Sequence, residues 1–186
     1  QTPMQILVIN AGSSSVKAAV INPATGKRSL EMSAERLLDA PVIEFSDGTI
    51  IELESKGPER AIAVCLEVLK DKLEDTPIAG VGHRVVHGGE DFDHAVRVDE
   101  TVEAKIEALE KLAPLHNPIN LRGIQAAREL FPDVDHFAVF DTAFHQNMPR
   151  RAKTYALPKD LMAEHGIRRY GFHGTSHKYV AAAAAR

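Results

Sequence analysis

Hydrophobic and polar positions divide the chain into two regimes. Gln5 to Asn10 is a short β-branched apolar run that stops at Ala11-Gly12-Ser13-Ser14-Ser15, and Val16 to Ile21 resumes the pattern before Asn22-Pro23. Two such runs around small, turn-forming residues predict a β-hairpin. Arg28 to Leu37, Pro41 to Phe45 and Thr49 to Leu53 read as further strands, with a turn at Ser46-Asp47-Gly48, so the chain opens as a meander. From Gly57 to Leu73 the period changes: Ala61, Val64, Cys65, Val68 and Leu69 recur at helical spacing. A strand from Ile78 to His87 follows, then helices over Thr101 to Leu112 and Leu121 to Phe131, the second with Asn120 in position to cap it. Pro132-Asp133 ends that helix, and Val134 to Phe140 reads as a buried strand ending at Asp141. Thr175 to Arg186 predicts a last helix. Strands alternating with helices indicate an α/β fold with a mixed sheet.

Composition narrows the function classes. At 186 residues the chain suits one domain with a buried core. Its 44% hydrophobic and 26% charged residues are those of an ordinary globular protein. The net charge of −4, without a long run of like charges, does not suit nucleic acid and fits a small metabolite better. No apolar run approaches the ~20 residues of a membrane span, and no secretory leader pattern opens the chain, so a cytoplasmic protein is expected. The single cysteine, Cys65, lies in an apolar-periodic stretch and reads as a buried structural thiol. Residues 1–3 read equally well as a remnant ahead of a natural start at Met4. The final helix stops in an alanine run with no capping signal, as expected of a piece of a larger protein.

Five segments carry candidate chemistry. In Asn10-Ala11-Gly12-Ser13-Ser14-Ser15-Val16-Lys17, exposed N–H groups, hydroxyls and one ammonium can hold phosphate oxygens. This is no Walker loop, because the second Gly and the Gly-Lys-Ser/Thr ending are missing, and a plain Ser-rich turn is the alternative. In Gly82-His83-Arg84-Val85-Val86-His87-Gly88-Gly89, Arg84 and Val86 share a strand face. A guanidinium beside an apolar wall suits a small carboxylate; the alternative is an arginine paired with Glu90 or Asp91. Leu115-His116-Asn117-Pro118 is a polar break whose lone histidine is either structural or catalytic. Asp141, at the carboxyl end of a buried strand, is placed to hold Mg²⁺ directly or through water, or else to cap the next turn. In Tyr170-Gly171-Phe172-His173-Gly174-Thr175-Ser176-His177, flanking glycines let His173 approach a ligand. His173 and His177 are spaced i and i+4, but a zinc site is disfavoured because Gly174 stands where a zincin has Glu.

Taken in order, these segments resemble the acetate kinase (acetokinase) family. NAGSSSVK and GHRVVHGG are similar to its two signature stretches, and APLHNP, FDTAFHQNMP and RRYGFHGTSH to its other active-site segments. The resemblance implies an actin-like, sugar-kinase-like (ribonuclease H-like) ATPase fold of two α/β lobes, of which residues 1–186 would be the amino-terminal lobe, with the last helix near the lobe junction. It implies reversible phosphoryl transfer between ATP and acetate, giving acetyl phosphate and ADP, with Mg²⁺ or Mn²⁺. Asn10 and Asp141 would then serve the metal, Ser13, Ser15 and Lys17 the phosphates, and Arg84 the acetate and the phosphoryl group. Val86 and Leu115 would hold the methyl group, His116 and His173 would line the phosphoryl path, Asp141 would help align the nucleophile, and Phe172 would pack beside it. Family members are more than twice this length, so the fragment alone is expected to turn over poorly, and the full protein to be a homodimer. A propionate or butyrate kinase, or a nucleotide-driven switch protein of the same fold, are the alternatives.

Overall fold

The computed structural model describes residues 4–54 and 58–186; the remnant reading of residues 1–3 and a helix start at Gly57 lie outside the described residues. The expected meander forms as β1 (Ile6–Ala11), β2 (Ser15–Ile21), β3 (Arg28–Glu35), β4 (Val42–Phe45) and β5 (Ile50–Glu52), each antiparallel to the one before. After helix α1 (Pro58–Lys72) the chain returns to the opposite side of β1 and adds β6 (Gly80–Val85) parallel to it. A short strand β7 (Val96–Arg97), helix α2 (Glu100–Ala108), a 3₁₀ turn (Glu110–Leu112) and helix α3 (Asn117–Leu130) lead to β8 (Asp135–Phe140). The result is a mixed sheet in the order β5-β4-β3-β2-β1-β6-β8-β7. Because the chain leaves β1 toward one edge and comes back on the other side, β1 and β6 flank a topological switch point, the place where open α/β sheets keep ligands.

Burial alternates along the strands as a half-covered sheet requires: Leu7, Ile9 and Ala11 on β1, and Val81, His83 and Val85 on β6, are buried. On α1 the buried stripe is Ala61, Ile62, Cys65, Leu66 and Leu69, whereas Val64 and Val68 are only half-buried, a rotation of about one position from the stripe expected. Cys65 is fully buried, and burial pushes its thiol up to about 11, as a structural cysteine requires. Helix α3 joins two cores. Ala127 and Phe131 pack with α1 and the meander, while Leu121 and Ile124 pack with Val85, Ile106 and Phe140.

The expected helix over Thr101 to Leu112 is shorter, since α2 ends at Ala108 and the 3₁₀ turn carries the rest. Asp99 caps it, accepting from the Val102 N–H at 2.8 Å. The second expectation needs a larger correction. α3 begins at Asn117 with Pro118 in its first turn, so Asn120 lies inside the helix and caps nothing. Beyond β8 lie a 3₁₀ turn (Ala143–His145) and short helices α4 (Arg150–Lys153) and α5 (Lys159–His165), none of which the hydrophobic pattern marked. The last helix, α6, runs Gly174–Ala184.

One buried polar pair sits within this frame. His83 Nε2 donates to His136 Nδ1 at 3.0 Å, and His136 Nε2 donates to the Phe131 carbonyl at 2.9 Å, which leaves both rings neutral. Burial pushes His83 down to about 3 from its ordinary 6.5, with His136 beside it adding to the effect. The unfolded chain therefore binds the extra proton across that window, so stability is full above roughly pH 6.5 and is lost as the pH falls toward 3. Urea midpoints of the full-length protein should drop between about pH 7 and about pH 5. His83→Gln keeps a donor toward His136 and cannot titrate, so its drop should be smaller; an equal drop would place the acid sensitivity elsewhere.

Candidate active site

The parallel strands deliver their carboxyl ends to one place. Pairing of β1 with β6 runs from Ile6↔Gly80 to Ile9↔His83 and ends there, although β1 continues to Ala11 and β6 to Val85. Ile9 and His83 are both buried toward the helices, so Asn10 and Arg84, one residue on, take the opposite face. Lys17 pairs with Asn10 across the hairpin and joins the same row. It is exposed and 3.5 Å from Glu35. Ser13 sits in the turn itself, which is closed by the Gly12 N–H donating to the Ser15 carbonyl at 2.8 Å.

Arg84 is held by a fork. Its Nε donates to Asp141 Oδ1 at 3.0 Å and its Nη2 to Oδ2 at 2.6 Å, while Nη1 takes no part. Asp141 is 2% exposed, so the guanidinium supplies the partner a buried carboxylate requires. Hydrogen bonding to Asp141 raises Arg84 above its ordinary range and keeps it charged. Glu90, one of the partners weighed for Arg84, instead pairs with Arg168. His173 joins the group, its Nδ1 3.4 Å from Arg84 Nη2 and 3.7 Å from Asp141 Oδ2.

These residues line one cavity of about 390 Å³, together with Val86, Pro114, Leu115, His116 and Phe172. Thus Arg84, Val86, Leu115, His116, Asp141 and His173, singled out in separate stretches of sequence, come together. Asn10 and Lys17 line a neighbouring groove on the exposed face of the meander. His173 is the residue before α6 and has φ 53°, a left-handed conformation uncommon outside glycine. It is followed by Gly174, whose N–H donates to the Asp141 carbonyl at 2.8 Å, and a Cβ at Gly174 would collide with that same oxygen. The glycine is what lets α6 begin against the end of β8.

The loop leaving β6 is pegged by side chains that sequence patterning did not mark for such a role. Four successive N–H groups each find one: Val86 donates to Asn120 Oδ1, His87 to Asn117 Oδ1, Gly88 to Thr142 Oγ1 and Gly89 to His87 Nδ1, at 2.9–3.0 Å. Asn117 Nδ2 returns a bond to the His87 carbonyl at 2.9 Å. His87 is buried and held below its ordinary pKa, chiefly by burial and then by Arg168, so its Nδ1 is free to accept. Its ring meets Tyr170 and Phe172 edge-on, linking the β6 exit to the segment that carries His173. The spacing of Asn117 and Asn120, i and i+3 on one helix face, is the signal that could have found them.

Among the described residues no group of three or more His, Cys, Asp or Glu side chains converges as a metal cage. The donor chemistry fits a hydrated hard cation: Asp141 uses one lone pair of each oxygen on Arg84, and Asn10 offers a neutral amide oxygen. No helix among the described residues is long and apolar enough to cross a membrane.

Known proteins resemble this chain over nearly its whole length. The acetate kinase of Pseudomonas aeruginosa strain LESB58 is 49% identical over 184 residues, covering 97% of this chain and 46% of that protein. Among solved structures, a propionate kinase from Francisella tularensis superposes with a TM-score of 0.89 at 42% identity, covering 98% of this chain and 48% of that one. The acetate kinase of Porphyromonas gingivalis gives 0.86 at 41%, covering 97% and 48%. The mixed sheet flanked by helices is thus the actin-like ATPase fold of these kinases. The chain spans about half the length of the curated relatives it matches. A family model, the acetokinase family, matches residues 5–186. The chain therefore belongs to the acetokinase family.

Proposed function

We propose that the full-length protein is an acetate kinase, transferring a phosphoryl group reversibly between ATP and acetate, and that residues 1–186 form the lobe holding the acetate end of the site. One observation carries this: a charged arginine, fixed by Asp141, opens onto a cavity walled by Val86, Pro114, Leu115 and Phe172. The guanidinium suits a carboxylate and the apolar wall suits a methyl group.

In this reading acetate, already ionised at neutral pH, attacks the γ-phosphorus of ATP directly and in line; the new O–P bond forms as the bond to the ADP oxygen breaks. Arg84 orients the carboxylate and faces the charge that spreads over the equatorial oxygens, and His173 and His116 hydrogen-bond along the same path. Ser13, in the β1–β2 turn, and Ser15 and Lys17, on β2, hold the nucleotide phosphates. Asp141 and Asn10 would anchor Mg²⁺, or Mn²⁺, which when bound with the phosphates offsets their charge. The rest of the full protein would complete the nucleotide pocket. We further assign the enzyme to the cytoplasm and expect a homodimer.

A second reading, a kinase preferring propionate or butyrate, is favoured by the open wall: Leu115 is 74% exposed, so this half alone does not close the cavity behind a methyl group. The Francisella protein named a propionate kinase has a closely similar fold.

With Mg-ATP and acetate the full-length protein should form acyl phosphate that hydroxylamine traps; Arg84→Ala should lower kcat/KM by about 10²-fold or more, and residues 1–186 alone should form none. No acyl phosphate from any short carboxylate would sink the kinase reading. Leu115→Ala should raise kcat/KM for propionate relative to acetate by about tenfold, because one methylene is worth roughly 1–3 kcal/mol in such a pocket. An unchanged ratio would remove Leu115 from the wall that sets acyl length.

A further inference from the structure

Where β1 and β6 part, a helix side chain takes the place of the missing ladder. Asn120 Nδ2 donates to the Ala11 carbonyl at 2.7 Å and its Oδ1 accepts from the Val86 N–H at 3.0 Å. One primary amide thus bonds both strands just past Ile9↔His83, the last paired residues. It stands in for a peptide unit between two backbones that have moved too far apart to bond each other. Asn120 is 4% exposed, so neither bond is exchanged with solvent. Gly123, one turn further along α3, makes this reach possible: a Cβ there would lie 2.7 Å from the Ala11 Cβ, so any larger residue would push the helix off the end of β1.

The two groups bridged belong to different subsites. Ala11 ends β1 and leads into the hairpin that carries Ser13 in its turn and Ser15 and Lys17 on β2, and Val86 lines the cavity with Arg84. We propose that Asn120 is a positioning residue for phosphoryl transfer, its amide fixing the spacing between the phosphate turn and the carboxylate subsite; this rests on the kinase reading above. Asn120 lies outside the residues lining the cavity, so its effect passes through the backbones it bonds. Each subsite keeps its own ligating groups without it. What is lost is their alignment, and a misplacement of about 1 Å is enough to cost roughly a hundredfold in rate.

The test uses the full-length enzyme and compares Asn120→Ala, Asn120→Asp and, as a control on the same helix, Ile124→Val. Asn120→Asp keeps the shape and the acceptor toward Val86 but sets a carboxylate oxygen against the Ala11 carbonyl, at a cost in stability, so each variant is assayed at a temperature below its own unfolding transition. The expected result is a fall in kcat of about a hundredfold in the Asn120 variants, with KM for acetate and for ATP within about threefold of wild type. Ile124→Val should lower Tm yet keep kcat within about twofold. A kcat in folded Asn120→Asp within threefold of wild type, or a KM rise that accounts for the whole loss, would overturn the positioning role while leaving the kinase reading intact. Wild-type protein that makes no acyl phosphate from any short carboxylate would overturn both.

Discussion

Beyond Ile9 and His83 the two central parallel strands stop pairing, and the gap that opens between them is where the site is built. A sheet that switches direction at its centre must leave such a crevice at its carboxyl edge. The crevice is useful only if its walls are fixed, because unpaired backbone groups there would otherwise be bonded by mobile water. Helix α3 supplies the fixing. Asn120 bonds both strands, Asn117 grips His87 twice, and the helix body is anchored by its apolar contacts in both cores. Thr142 and His87 complete the set, so the β6 exit is held by side chains at four consecutive N–H groups.

That frame gives the electrostatics their precision. A carboxylate buried as deeply as Asp141 needs a permanent cationic partner, and Arg84 is that partner. The fork in turn restrains a long side chain, so less rotamer freedom remains to be lost when a carboxylate arrives. His173 is brought to the same point by a left-handed backbone and by the close seat of Gly174 on the Asp141 carbonyl. Strand β6, the exit of β8 and the residue before α6 therefore each contribute one member of a polar cluster beside an apolar wall, an arrangement suited to the proposed phosphoryl transfer.

Sequence patterning revealed the strands and the long helices because burial on one face leaves a period that composition cannot hide. The strands of the meander and the β8 run ending at Asp141 follow it closely, and α1 follows it with its stripe turned by about one position. Short elements after β8 left no such trace: α4 and α5 bury none of their residues, so no apolar stripe marks them. Arg84, Val86, Leu115, His116, Asp141 and His173 were legible as candidates in separate stretches, and the fold brings them to one cavity. Asn120 was visible but misread as a cap. An asparagine before an apolar helical run looks the same whether its amide folds back on its own helix or crosses to two strands, and only tertiary packing separates the two. Arg84 shows the same limit: its partner lies 57 residues away in Asp141, whereas local spacing pointed to Glu90 or Asp91.

The central claim is that Arg84 and the adjoining apolar wall receive a short carboxylate with its methyl group inward. Transferred nuclear Overhauser effects from acetate methyl protons to the full-length protein, with the valine and leucine methyls selectively labelled, read that contact directly. Cross-peaks to Val86 and Leu115 that vanish in Arg84→Ala are the predicted result. Cross-peaks to other methyls only, or ones that persist without Arg84, would contradict it.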